Sequence, residues 1–178
     1  SNLYGVVPYF VGKTIVETPV GLIITFLYGL IVYYIVGLRT EAQYYFIFNL
    51  VYVGCAFLAQ GMGLLFGCAF NNFNTAMIVT QFSLMPIFLF SGFLINQANM
   101  PIWLAWLRFL SPFRYIIEAA SRNEFDGVST SMFEGYNPVT ALNLDIGLWN
   151  CIIIIFAMGI GYRILACFFL KMLVRKVG

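Results

Sequence analysis

The residue types that enzymes use most often for acid–base chemistry and metal binding are scarce in this chain. Histidine, the commonest general base and metal ligand, is absent. The four cysteines all lie inside apolar runs, at Cys55, Cys68, Cys151 and Cys167. We expect buried thiols there and no disulfides. We therefore predict no catalytic residue, no metal site and no cofactor in this chain, which we do not expect to be an enzyme by itself.

One tripeptide resembles part of a phosphate-binding loop. Gly12, Lys13 and Thr14 match the end of the pattern G-x-x-x-x-G-K-[ST], but its leading glycine would fall at Val7. No strand is predicted before it and no glycine-rich cradle is present, so backbone N–H groups cannot converge on a phosphate. We reject a nucleotide site here and expect Lys13 to mark the cytoplasmic edge of a membrane helix.

Lys13 and Glu17 are four residues apart, which lets their side chains pair on one face of a helix. A carboxylate near the edge of a membrane needs such a partner. Two interpretations remain open, a local ion pair and a point where conformational change is coupled to the membrane domain.

Two features of the apolar runs are typical of membrane helices. Gly61, Gly63 and Gly67 form a small-residue face in which Gly63 and Gly67 make a GxxxG pattern. Such a face favours close helix packing, with dimerisation as the alternative. Arg163 is the single charge deep in the last apolar run. We expect its side chain to snorkel toward the cytoplasmic headgroups.

The third apolar run carries soft, aromatic and singly polar side chains, among them Gln81, Met85 and Phe88. A cavity with such a lining would suit amphipathic ligands. Ordinary helix packing would use the same residue types, so the residues alone leave both possibilities open.

The composition is that of a protein with lipid as part of its solvent. Hydrophobic residues make up 62% of the 178 residues, charged residues 9%, and the mean hydropathy is +0.91, whereas a soluble domain has about a quarter of its residues charged. The net charge of +2 is too small and too dispersed for nucleic-acid binding.

The element pattern predicts an all-α integral membrane protein. A membrane-spanning helix needs about 20 apolar residues. Four runs qualify, at about 14–38, 42–70, 73–95 and 146–170, and a long loop over 96–145 holds half of the charged residues. In this loop Trp103 and Trp106 predict a short interfacial or re-entrant helix. A second is expected from Pro112, with Arg114, Glu118 and Arg122 spaced to pair along it.

The charges near the ends predict the orientation. Lys13 precedes the first run, and Lys171, Arg175 and Lys176 follow the last. Four spans put both ends on the same side, which the basic residues indicate is cytoplasmic. The long loop then faces outward.

Several stretches, taken in order, resemble the membrane domain of the G subfamily of ABC transporters, which includes white-type pigment, sterol and multidrug half-transporters. They are Tyr9–Lys13 with Glu17-Thr18-Pro19, Tyr33–Leu38, Phe90–Phe93, and Trp103–Tyr115 with Asn123-Glu124-Phe125. The outer loop lacks the cysteines and the N-x-[ST] sequon of some relatives, so a disulfide between two such loops is not expected.

The resemblance implies the third to sixth spans of a six-helix domain, with an ATP-binding domain that uses ATP and Mg²⁺ upstream of Ser1. It implies a dimer with a second half-transporter, identical or different, that exports a lipid, sterol or other amphipathic compound. Gln81, Met85 and Phe88 would line the substrate cavity, and Phe93 and Leu94 would form the exit gate. Glu17, with Lys13, would lie near the coupling region.

A second function class stays open. Glycine-rich helix faces and interfacial tryptophans would serve equally well in a structural or accessory subunit that has no transport cycle. A membrane enzyme is the weakest alternative, because no convergent set of catalytic side chains can be named.

Overall fold

A computed structural model of the chain describes residues 6–39, 41–70, 72–91, 106–126, 139 and 144–177. Its helices are α1 (Val6–Val36), α2 (Ala42–Ala69), α3 (Phe73–Leu89), α4 (Leu107–Leu110), α5 (Pro112–Phe125) and α6 (Leu148–Val177). All regular secondary structure in these described ranges is helical, which confirms the all-α part of the predicted fold class.

Within the described residues, three helices are long and apolar enough to cross a membrane. They contain the apolar stretches Pro8–Val36, Ala42–Ala69 and Leu148–Leu173, of 29, 28 and 26 residues, where about 20 suffice. Large apolar side chains on α1 and α6 point outward, for example Ile15 and Ile164, each 65% exposed. Water would make such surfaces costly, so the chain is part of an integral, multi-pass membrane protein.

The third predicted span is shorter than expected. We predicted a helix over 73–95, whereas α3 ends at Leu89 and has 17 residues. The Phe90 N–H donates to the Pro86 carbonyl and the Ser91 N–H to the Phe88 carbonyl, which closes the last turn. Residues 92–95 lie outside the described part of the chain, so a fourth membrane-spanning helix remains a prediction.

The centre of the fold is the contact between α2 and α6. A Cβ atom at Gly61 would lie 2.9 Å from the carbonyl oxygen of Gly159, and one at Gly159 would lie 2.6 Å from the Phe57 ring. These glycines therefore allow the two backbones to approach closely. The buried side chains around the contact include Val51, Leu58, Ile152 and Ile155.

The GxxxG pattern does not take part in this contact. A Cβ atom at Gly63 or Gly67 would have nothing within 4 Å among the described atoms. Successive helical residues turn by about 100°, so Gly63 faces nearly opposite to Gly61. Within the predicted small-residue face, Gly61 therefore confirms the packing role, whereas no packing of Gly63 or Gly67 is found among the described residues. Dimerisation through Gly63 and Gly67 stays a prediction.

The turn between α1 and α2 depends on a glycine. Gly37 has φ +72°, a left-handed conformation in which side chains other than glycine are strained. The N–H of Leu38 donates to the Tyr33 carbonyl at 3.4 Å, as at helices that end in glycine. The long apolar α1 therefore stops here, and α2 can return antiparallel to it.

The predicted loop helices are described only in part. Trp103 lies outside the described residues, and the short α4 is what is described of the first helix. The helix expected from Pro112 is present as α5, with Pro112 in its first turn, where a missing N–H is harmless. The position of both helices relative to the membrane surface remains a prediction.

Candidate functional site

The three residues predicted to line a substrate cavity share one face of α3. Gln81, Met85 and Phe88 are separated by four and three residues, the spacing of neighbours on a helix surface. Met85 is 69% exposed and Phe88 39%, and Gln81 is also exposed. The structure thus places the three side chains in a row that other described parts of the chain leave uncovered.

A shallow pocket of about 480 Å³ lies at one end of this row. Asn74, Met77, Ile78, Gln81 and Phe82 line it, so of the three predicted residues it contains Gln81 only. The other four lining residues were not among the cavity residues predicted from the sequence. Asn74, Met77 and Ile78 precede Gln81 by seven, four and three residues, and helical periodicity could have found them.

The chemistry of this face is uncharged. Two amides, Asn74 and Gln81, can donate and accept hydrogen bonds, and the methionine and phenylalanine side chains supply polarizable and aromatic surface. The face can hold an amphipathic molecule that brings one or a few polar groups. It contains no group suited to acid–base or nucleophilic chemistry.

The opposite end of the row is attached to α5. The rings of Phe88 and Phe113 meet edge to face with their centroids 5.4 Å apart. The hydroxyl of Ser111, which is 1% exposed, donates to the Ile87 carbonyl at 2.6 Å. Phe88 therefore takes part in packing as well as in the exposed row, and this end of α3 is attached to the start of α5.

Helix α5 is also joined to the start of α6 through a buried carboxylate. Glu118 is 0% exposed, and its Oε1 accepts hydrogen bonds from the N–H groups of Ile146 at 2.6 Å and Gly147 at 3.0 Å. The same oxygen lies 3.2 Å from Nε of Arg122, which confirms the predicted pairing of these two residues. Arg122 also donates to the Leu144 carbonyl.

The last turn of α5 contacts the connection between α1 and α2. The side-chain amide of Asn123 donates to the Tyr44 carbonyl at 3.0 Å. Arg39 donates to the Asp126 carbonyl at 3.0 Å and lies 4.2 Å from the Tyr44 ring centroid. One short helix is therefore bonded to α1–α2, α3 and α6. Sequence analysis had not predicted this role, because these partners are distant in the chain.

Two neighbouring residues of α5 hold Phe109 of α4. The Arg114 guanidinium lies 4.9 Å from the centroid of the Phe109 ring. The Tyr115 hydroxyl donates to the Phe109 carbonyl at 2.9 Å. Burial raises the pKa of Tyr115, so this hydroxyl keeps its proton and remains a donor.

The predicted pair Lys13–Glu17 is present. Nζ of Lys13 lies 3.7 Å from Oε1 of Glu17, and the two side chains are 44% and 58% exposed. Together with Gln60 and the open glycines of α2 they line a pocket of about 490 Å³ between α1 and α2. The local ion pair is confirmed, whereas a coupling role stays a prediction.

The expectation for Arg163 was wrong. Its side chain is 9% exposed and turns toward α2, where Nη1 donates to the carbonyls of Phe57 (2.7 Å) and Gly159 (3.2 Å) and Nη2 to Oε1 of Gln60 (3.3 Å). The guanidinium also lies 3.7 Å from the centroid of the Phe57 ring. Acceptors inside the bundle are nearer than headgroups, so the charge is satisfied without snorkelling. Gln60, a polar residue in an uncharged run, could have indicated from the sequence that Arg163 has a partner inside the bundle.

The predicted exit gate, Phe93 and Leu94, lies outside the described residues. Ser91, the last described residue before it, is 1% exposed. The gate therefore stays a prediction, adjacent to the end of α3 that α5 holds.

Comparison with known proteins identifies the family. The family described as ABC-2 type transporter matches residues 1–125. The chain belongs to the ABC-2 type transporter family. The match includes α1, α2, α3 and α5, and so contains the exposed α3 face and the helix that positions it.

Three relatives of this ABC-2 type chain confirm the resemblance to the G subfamily. It is 34% identical over 128 residues to "Protein white" of Ceratitis capitata and 28% identical over 189 residues to "ABC transporter G family member 1" of Dictyostelium discoideum. It is 29% identical over 180 residues to "Broad substrate specificity ATP-binding cassette transporter ABCG2" of Bos taurus.

The ABC-2 type chain corresponds to a minor part of each relative. The three alignments contain 72%, 97% and 88% of this chain but only 19%, 24% and 28% of the relatives' own lengths. The shared region is the membrane part.

Proposed function

We propose that this chain is the membrane-embedded C-terminal part of a G-subfamily half-transporter that exports a lipid, sterol or other amphipathic compound. ATP and Mg²⁺ act on an ATP-binding domain upstream in the same protein, and a second half-transporter, identical or different, completes the dimer. The family match and the G-subfamily relatives support this proposal. The large share of each relative beyond the matched region supports the upstream domain.

The observation that carries the substrate site is the mixed character of the exposed α3 face. Phe82 and Met85 are 76% and 69% exposed, and the exposed Gln81 lies next to both on the same surface. An amide that faces only lipid would have no hydrogen-bond partner. In hydrocarbon an unsatisfied polar group costs roughly several kcal/mol of free energy. A cavity that holds water or a ligand removes that cost.

In this proposal α3 and the residues that follow it together complete a fourth span. Both ends of the segment then lie in the cytoplasm, and Phe93 and Leu94 close the outer exit above the cavity. Lys13 and Glu17 lie at the cytoplasmic edge, where movement of the ATP-binding domain is transmitted. The basic Lys171 near the end of the last apolar stretch supports this orientation.

The test uses the intact natural protein in liposomes, with ATP-dependent movement of fluorescent sterol and phospholipid probes as the readout. Met85→Arg should abolish transport while the protein still inserts, because an arginine would obstruct an uncharged cavity. Met172→Arg is the matched control: Met172 is 54% exposed on α6, and its substitution should leave transport unchanged.

Two outcomes would count against the proposal in different ways. Unchanged transport by Met85→Arg would remove the cavity assignment but leave the transporter intact. Absence of ATP-dependent movement of every probe by the unmodified protein would favour the accessory-subunit alternative.

A further inference from the structure

A second pocket lies on a different side of the chain from the α3 face. It is a groove of about 520 Å³ between the first half of α1 and the second half of α6. Its walls are largely apolar, with Ile15 of α1 and Ile164 and Phe168 of α6 each more than half exposed at 65%, 65% and 59%. These side chains belong to two apolar spans, so the groove opens toward lipid.

The charged residues that line this groove are both cationic. They are Arg163 and Lys171, and the described residues that line the groove include no acidic one. The neighbouring pocket across α1 differs, because there Lys13 is paired with Glu17. The groove therefore has an electrostatic preference for an anion that the described part of the chain does not satisfy.

Arg163 supports the same conclusion at the atomic level. Its three hydrogen-bond acceptors are two backbone carbonyls and an amide oxygen, none of which carries a full negative charge. Its Nε is buried without a hydrogen-bond acceptor among the described residues. A buried cation without a counter-charge is costly, so an anionic ligand in the groove would be stabilising.

The spacing along α6 matches a lipid that lies parallel to the helix. Lys171 follows Arg163 by eight residues, about 12 Å along the axis, and lies where the apolar stretch Leu148–Leu173 ends. Lys171 is thus at the level of headgroups and Arg163 below it. Basic pockets between membrane helices are a known setting for anionic headgroups.

We propose that the groove between α1 and α6 binds one anionic phospholipid. Lys171 contacts the phosphate, and the positive charge of Arg163, buried deeper in the groove wall, adds to the attraction. An acyl chain lies along Ile15 and Ile164. Because the groove is formed by α1 and α6, this lipid is a bound component of the membrane domain and is distinct from the cargo assigned to the α3 face.

The test is a lipid titration of the intact natural protein, purified in detergent and followed by native mass spectrometry. The probes are dioleoylphosphatidylglycerol, which is anionic, and dioleoylphosphatidylcholine, which is not. The protein should retain the first phosphatidylglycerol at a lower concentration than phosphatidylcholine. Lys171→Gln should weaken phosphatidylglycerol binding by about fivefold, the effect of one basic residue near a membrane surface.

Two further variants make the result decisive. Lys13→Gln removes a cation from the same membrane edge but outside the groove, and should leave both affinities unchanged. Ile164→Trp, at an exposed position, should fill the groove and weaken both lipids. Equal binding of the two lipids by the unmodified protein, or equal losses from Lys171→Gln and Lys13→Gln, would overturn the proposal. Transport is not measured, so either result is independent of the proposed function.

Discussion

Glu118 accepts the backbone N–H of Gly147 at 3.0 Å and is itself completely buried. Gly147 has φ +93° and immediately precedes α6, so the carboxylate of α5 determines where the last span begins. The negative charge also lies at the positive end of the α6 dipole, which is favourable. Because α5 is in contact with α3 as well, the Phe88 end of the exposed α3 face and the start of α6 are positioned by the same helix.

Removal of this carboxylate should destabilise the fold strongly. In Glu118→Ala the N–H groups of Ile146 and Gly147 and the Nε–H of Arg122 lose the acceptor that Glu118 provides. Breaking a buried ion pair in this way costs about 3–5 kcal/mol. Thermal unfolding of the intact protein in detergent should show a clear fall in the midpoint temperature.

The control for this prediction is Asp126→Asn. Asp126 also faces Arg122, at 3.8 Å, but its side chain is 55% exposed, so its loss should cost less than about 1 kcal/mol. Similar midpoint shifts for the two variants would show that burial of Glu118 is not what matters.

Gly61→Ala should separate α2 from α6. The added Cβ would lie 2.9 Å from a backbone oxygen of Gly159, and a backbone atom cannot move aside as a flexible side chain can. Overpacking of this kind costs about 1–3 kcal/mol, again measured as the unfolding midpoint in detergent. Gly63→Ala, two residues away with open space around it, should have no comparable effect; if both substitutions were equally harmful, the helix contact would be misassigned.

Arg163→Lys distinguishes an inward-turned arginine from a snorkelling one. Lysine can snorkel as well as arginine, but it lacks the planar fork that reaches Phe57, Gly159 and Gln60 together. We expect the variant to lose about 1–3 kcal/mol of unfolding free energy. Gln60→Leu should cost less, because it removes one acceptor of three. Full stability of Arg163→Lys would restore the snorkelling interpretation.

Glu17→Gln tests the coupling role, and depends on the proposed function. The ion pair with Lys13 is half exposed, so its loss should change stability little. A coupling point predicts fewer molecules transported per ATP hydrolysed, measured in liposomes as the ratio of the two rates. Asp145→Asn, another exposed acid, serves as the control. An unchanged ratio for Glu17→Gln would leave Lys13–Glu17 as a local ion pair only.

The sequence by itself determined the class of the protein and its local pairs. Runs of about 20 apolar residues predict membrane helices, because in hydrocarbon the backbone N–H and C=O groups must bond to each other and a helix satisfies them within one segment. Helices α1, α2 and α6 confirm three of the four predicted spans. Pairs four residues apart, such as Lys13–Glu17 and Glu118–Arg122, were predictable because helical geometry alone brings them together.

Only the tertiary structure decided which faces are covered. Gly61 packs whereas Gly63 is open, Arg163 turns inward, and Glu118 meets the start of α6, although no local pattern distinguishes these residues from their alternatives. Each depends on a helix from a distant part of the chain: Arg163 is 103 residues from Gln60, and Glu118 is 28 from Ile146. Helix periodicity describes what one helix presents, whereas its partner is selected by packing between helices, which local periodicity does not encode.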